Sequence, residues 1–176
     1  AGRLGEDRML MRRELEKLAL LAGEGGKVTE ELVLAAMAEG GAASLDLDEA
    51  LMAATAGDLA TADRALDAAF AEGATGVGVV RAALRHVQRL HLAALAVAAG
   101  AAPAAAAASL RPPVFFRHKP AFERALRLWR ADQLAAAGEA LLDAERRTKT
   151  TGMPDAAIAR GAVLALARQA AAAARH

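Results

Sequence analysis

The sequence predicts an all-α fold, and three observations lead there. Hydrophobic residues fill 55% of the 176 positions, but aromatic residues fill only 3% and Tyr is absent. The apolar material is therefore mostly Ala, Leu and Val, and Ala is the strongest helix former. Runs of β-branched and aromatic residues, which suit strands, are scarce. Apolar positions recur at helical spacing, and glycines and capping residues punctuate them. A core of small side chains also lets helix backbones approach closely.

The elements follow in chain order. Met9, Leu10, Leu15, Leu18 and Leu21 fall near one helix face, and Arg12, Arg13, Glu14, Glu16 and Lys17 supply a charged face. Gly23, Gly25 and Gly26 end that helix. Thr29 reads as the N-cap of a second, with Glu30 and Glu31 suiting its positive end. It runs to about Ala38 and stops at Gly40-Gly41. Asp46 or Asp48 is expected to cap a third helix through Ala54. Gly57-Asp58 is a turn, Leu59 to Glu72 a fourth helix, Gly73 to Gly78 a loop, and Val79 to Ala99 a long fifth helix. Ala101 to Ser109 reads as helix or as connector, and composition alone does not choose.

Arg111-Pro112-Pro113 breaks the chain, because proline removes a donor and restricts its predecessor. Pro120 suits the first turn of a helix from Ala121 to Trp129. Asp132 is expected to cap Gln133 to Arg146, and Asp155 to cap a last helix to about Arg175, with a turn over Lys149 to Pro154 between them. Residues 1–43 hold two short helices that cannot bury a core alone. Residues 44–176 hold enough helix for a bundle. With no initial Met and an opening in mid-pattern, the chain reads as part of a longer protein.

Charge and composition exclude several classes. Lys+Arg 22 against Asp+Glu 21 gives a formal net charge of +1, which is no overall footprint for nucleic acid. Any such contact has to be local. Cys is absent, which rules out disulfides and thiol chemistry and fits a reducing cytoplasm. Ala1 to Lys17 is too charged for a secretory signal. Leu92 to Leu110 carries no charge, but Gly100 and Pro103 interrupt it, so it is not expected to span a membrane.

No GxxxxGK[ST] loop is present to cradle phosphates, and the Gly73 to Gly78 glycines read as a turn. His86 and His91 miss the i, i+4 spacing for a shared metal, so no metal or cofactor is expected. Phe122, Leu126 and Trp129 step four then three along one helix face and read as core. Arg111, Phe115, Phe116, Arg117 and Lys119 interleave cations with aromatics, which suits phosphate pairing plus base stacking. A surface loop with Phe packed beneath it is the plain alternative. Arg147 and Lys149, beside Thr148, Thr150 and Gly152, suit either phosphate or the negative end of a helix.

Several stretches together resemble a known family. Leu4-Gly5-Glu6-Asp7-Arg8 leads into Arg12-Arg13-Glu14-Leu15-Glu16-Lys17-Leu18, followed by Val28-Thr29-Glu30-Glu31, Asp48-Glu49-Ala50-Leu51 and Gly57-Asp58. Near the end come Arg124-Ala125-Leu126-Arg127-Leu128-Trp129 and Leu141-Leu142-Asp143-Ala144-Glu145-Arg146-Arg147-Thr148-Lys149. In this order they resemble the delta subunit of the bacterial DNA polymerase III clamp loader. The resemblance implies that residues 1–43 end an AAA+-type lid domain, with Gly5, Asp7, Arg12, Glu16 and Lys17 as its motif. Met11 departs from the small polar residue common there. It further implies that residues 44–176 form a helical collar that assembles with the motor subunits and delta-prime. Delta itself does not hydrolyse ATP, and it grips the sliding clamp through an N-terminal domain outside this sequence. On this resemblance the chain is no enzyme alone but a subunit of a DNA polymerase holoenzyme, with primer-template DNA as a possible contact of the collar. A free-standing helical adaptor domain is the runner-up class, and a small DNA-binding protein is a third that the net charge of +1 disfavours.

Overall fold

The computed structural model describes residues 42–175. The chain divides into two units between Gly40 and Gly41, and every described residue lies in the second. The expected helices before Gly40, and the residues Gly5, Asp7, Arg12, Glu16 and Lys17, lie outside the described residues.

Among the described residues all regular structure is helical: α1 (Ala42–Thr55), α2 (Leu59–Ala71), α3 (Gly76–Ala98), α4 (Pro103–Ala108), a 3₁₀ turn (Phe116–His118), α5 (Lys119–Leu128), α6 (Ala131–Thr148) and α7 (Asp155–Ala173). Asp58 caps α2, its carboxylate accepting from the Thr61 N–H at 3.0 Å. That bond also holds the Asp58 carboxyl below the usual carboxylate range. Thr75 caps α3 through its hydroxyl oxygen. The alanine tract forms α4, with Pro103 in its first turn.

Three expected caps are corrected. Asp46 and Asp48 lie inside α1, which starts upstream at Ala42. Asp132 lies inside α6, where it pairs with the Arg130 guanidinium at 2.7 Å while Gln133 accepts from the Arg130 N–H. Asp155 is the first residue of α7 and serves another helix: its Oδ2 accepts from the Gly76 N–H at the start of α3. Asp132 and Asp155 each sit in the first turn of a helix, where free N–H groups are near. Tertiary contacts decide which helix end receives the carboxylate.

The last helix is the hub. α7 packs against α1, α2, α3 and α6, while α1 and α2 form one close pair and α3 and α6 another. Arg160 on α7 joins the hub to α2 by pairing with both Asp63 and Asp67. Glycine fixes both ends of α7. Gly57 turns with φ +83°, and a Cβ there would lie 3.0 Å from the Ala171 backbone N. A Cβ on Gly76 would fall 2.5 Å from the Asp155 carbonyl group. Only bare backbone fits at either place. Short α4 and α5 cover α3, and α5 also reaches α1. The core is Ala, Leu and Val around Phe122 and Trp129.

Candidate functional site: an exposed aromatic tip beside a buried polar node

The stretch from Leu110 to Trp129 carries two aromatic groups with opposite fates. Downstream, α5 presents Phe122, Leu126 and Trp129 on one face, and all three are buried. The Trp129 indole Nε1 donates to the Thr55 carbonyl at 2.9 Å, and Arg124 Nε donates to the Ala56 carbonyl at 3.0 Å. Both carbonyls sit at the C-terminal end of α1, where a helix has no N–H donors of its own to satisfy them. So α5 closes α1 from outside. The Thr55 hydroxyl, also buried, donates to the Leu51 carbonyl and meets His86 Nε2 at 2.9 Å. With that single proton spent on Leu51, the His86 Nε2–H is the donor to Thr55. His86 stands edge-on to Phe122 with ring centroids 6.0 Å apart. Burial, helped by the charges of Arg89 and His118, pushes its pKa down to about 3. His86 is therefore neutral and structural.

Upstream, the chain is pinned and then exposed. Leu110 and Val114 are buried, and Arg89 Nη2 holds the Pro112 carbonyl at 2.8 Å. The Arg111–Pro112 bond is cis. Beyond Val114 the extended path that the prolines impose ends in the 3₁₀ turn at Phe116. Phe115 is half-buried and Phe116 is 62% exposed, with ring centroids 4.6 Å apart. The Arg117 guanidinium lies 6.0 Å from the Phe115 ring centre. Lys119 is exposed. Arg117, His118 and Arg124 line an open cleft of ≈ 1080 Å³ together with Glu49 and Asp58, from α1 and the turn after it. Burial lowers the His118 pKa, and Arg117 lowers it further. The tip thus offers a ring face and two cations to a flat anionic partner.

The sequence-expected residues divide accordingly. Phe115, Phe116, Arg117 and Lys119 come together at the tip. Arg111 is exposed, but its Nη1 turns back onto the Ala108 and Leu110 carbonyls and closes α4. Lys149 pairs with Glu145 at 2.7 Å, and Glu145 also binds Arg81. That double pairing lowers the Glu145 pKa. Arg147 lines a groove of ≈ 470 Å³ between α6 and α7. These last two therefore belong to other surfaces than the tip. The sequence reading missed Thr55 and Arg124: nothing local marks either, because their partners lie 31 and 68 residues away.

Among the described residues no cluster of His, Asp or Glu could hold a metal, and no helix is long and apolar enough to cross a membrane. A comparison with protein-family models, curated proteins and solved structures finds no match to this chain.

Proposed function

We propose that this chain is the helical assembly part of a clamp-loader delta-type subunit: a collar, preceded by the end of a lid domain, that takes part in DNA replication. The observation that carries the reading is the ordered series of delta-like stretches, from Leu4-Gly5-Glu6-Asp7-Arg8 to Thr148-Lys149. The fold supports it in kind, since the described residues form a helical bundle of the class that a collar requires. In this reading the motor subunits and delta-prime are the collar's neighbours, the loader acts in the cytoplasm, and the chain contributes assembly rather than ATP chemistry.

The tip of Phe115, Phe116, Arg117 and Lys119 is the proposed contact for primer-template DNA, with Arg111 at its edge. Phe116 supplies a stacking face, and the cations supply phosphate contacts that weaken as salt rises. Arg147 and Lys149 are secondary candidates, Lys149 the weaker because Glu145 already neutralises it. In a loader reconstituted with the full-length subunit, Phe116→Ala and Arg117→Ala are expected to leave assembly intact and lower DNA affinity. Wild-type affinity for both across a salt series would make the tip structural. The alternative, a free-standing adaptor, predicts that the chain fails to co-purify with the motor subunit's collar domain.

A further inference from the structure

The cleft beside the tip is balanced in charge, and one neutral ring decides its sign. Glu49 and Asp58 bring two carboxylates to its lining, while Arg117 and Arg124 bring two guanidiniums. The signs cancel, so these four groups give the cleft no net pull on an anion. The remaining titratable group of the lining is His118. It ends the 3₁₀ turn, half-buried between Arg117 and Lys119, with its ring 6.0 Å from that of Phe115. Among the described residues its ring nitrogens meet no hydrogen-bond partner, whereas Nε2 of His86 meets Thr55. Burial and the Arg117 charge hold His118 neutral near pH 7, and Glu49 pulls the other way. From α3, His86 feels both Arg89 and His118 and is itself neutral; from α2, the charge of Arg64 falls on Asp58.

We propose that His118 is a proton-linked contact for a phosphodiester backbone, placed at the base of the tip. Once protonated, the imidazolium adds the one charge that turns the cleft from neutral to positive, and both ring nitrogens become donors. A phosphate seated between Arg117 and His118 stabilises the charged ring, and the charged ring stabilises the phosphate. The two binding events strengthen each other by the same factor. Glu49 and Asp58 make this contact sensitive to pH, because they offset the two arginines whenever His118 is neutral. The occupant is a nucleic acid and not free phosphate, since Phe116 exposes a stacking face two residues away in the same turn. This inference rests on the DNA reading of the tip and adds its regulation: the tip holds DNA more tightly as pH falls.

The test uses the 176-residue chain at low salt. The probe is oligothymidylate, and its affinity is measured by fluorescence anisotropy from about pH 8 to about pH 5. Wild type is expected to gain about 10-fold more over that range than His118→Gln, which keeps a polar side chain but never charges. In NMR the His118 ring signal is expected to titrate about one pH unit higher with oligothymidylate than without it. A purely structural His118 would leave that midpoint unmoved. His91→Gln, on α3 and outside the cleft, is expected to keep the wild-type profile. If wild type binds, His118→Gln follows the same pH profile and the midpoint stays in place, His118 is the wrong group and the DNA reading of the tip stands. If inorganic phosphate alone moves the midpoint as far as oligothymidylate does, the cleft is a free-anion site and the nucleic-acid occupant is overturned. If oligothymidylate does not bind at any pH, both readings fail.

Discussion

Phe116 and Phe122 are six positions apart and have almost opposite environments: one is 62% exposed, the other 1%. Composition treats the two rings alike. The difference comes from what backbone each one rides. Phe122 sits inside α5 at helical spacing from Leu126 and Trp129, so all three reach the core together. Phe116 opens a three-residue 3₁₀ turn that follows two prolines, where no repeating face exists to carry a ring inward. Phe115, next to it, is caught halfway. Of these rings, the one on the helical stripe is core and the one on the turn is surface.

The largest expected effect tests the buried side of this comparison. Trp129→Ala removes a ring that is 4% exposed and orphans the Thr55 carbonyl. The expected loss is about 3–5 kcal/mol, read by urea denaturation. An unchanged midpoint would mean that α5 does not close α1 as described.

A second experiment sharpens the buried side through pH. Burial pushes the folded pKa of His86 down to about 3 from the usual 6.5. The unfolded chain therefore binds a proton between those values and the folded chain does not. Its contribution is fully present above about pH 6.5 and is lost as pH falls toward 3. At pH 4.5 the loss is roughly 3 kcal/mol, two pKa units' worth. His86→Leu keeps the Thr55–Leu51 bond and removes the titrating group, so its stability between pH 7 and 4.5 should fall less steeply than that of wild type. Parallel slopes would show that His86 titrates as an exposed group.

The smallest expected effect belongs to the exposed side. Phe116→Ala is expected to change stability by less than about 0.5 kcal/mol, since most of the ring already meets water. A loss approaching that of Trp129→Ala, measured in the same urea series, would erase the contrast between the two regions.

Much of the bundle was legible in the sequence. The helix order, the turn at Gly57-Asp58 and the burial of Phe122, Leu126 and Trp129 all follow from local spacing, and local spacing is written in the chain. The caps at Asp46, Asp48, Asp132 and Asp155 were not legible. An acid before an apolar run always looks like that run's own cap, yet Asp155 gives its oxygen to α3. The tip was half legible: the interleaved Phe, Arg and Lys stood out, while the return of Arg111 onto α4 did not. Arg147 and Lys149 looked like one basic cluster, but Glu145, which also pairs with Arg81, claims Lys149, and Arg147 lines the α6–α7 groove.

By itself, the sequence determined that this protein is helical, where most of its helices lie and which aromatic stripe forms the core, because each depends on residues three or four apart. Only the tertiary structure decided that the final helix is the hub, that Thr55, His86, Trp129 and Arg124 close the end of α1, and that Gly57 and Gly76 must be bare. Those outcomes depend on groups dozens of residues apart meeting within about 3 Å, and short-range patterning carries no record of which distant backbone will arrive.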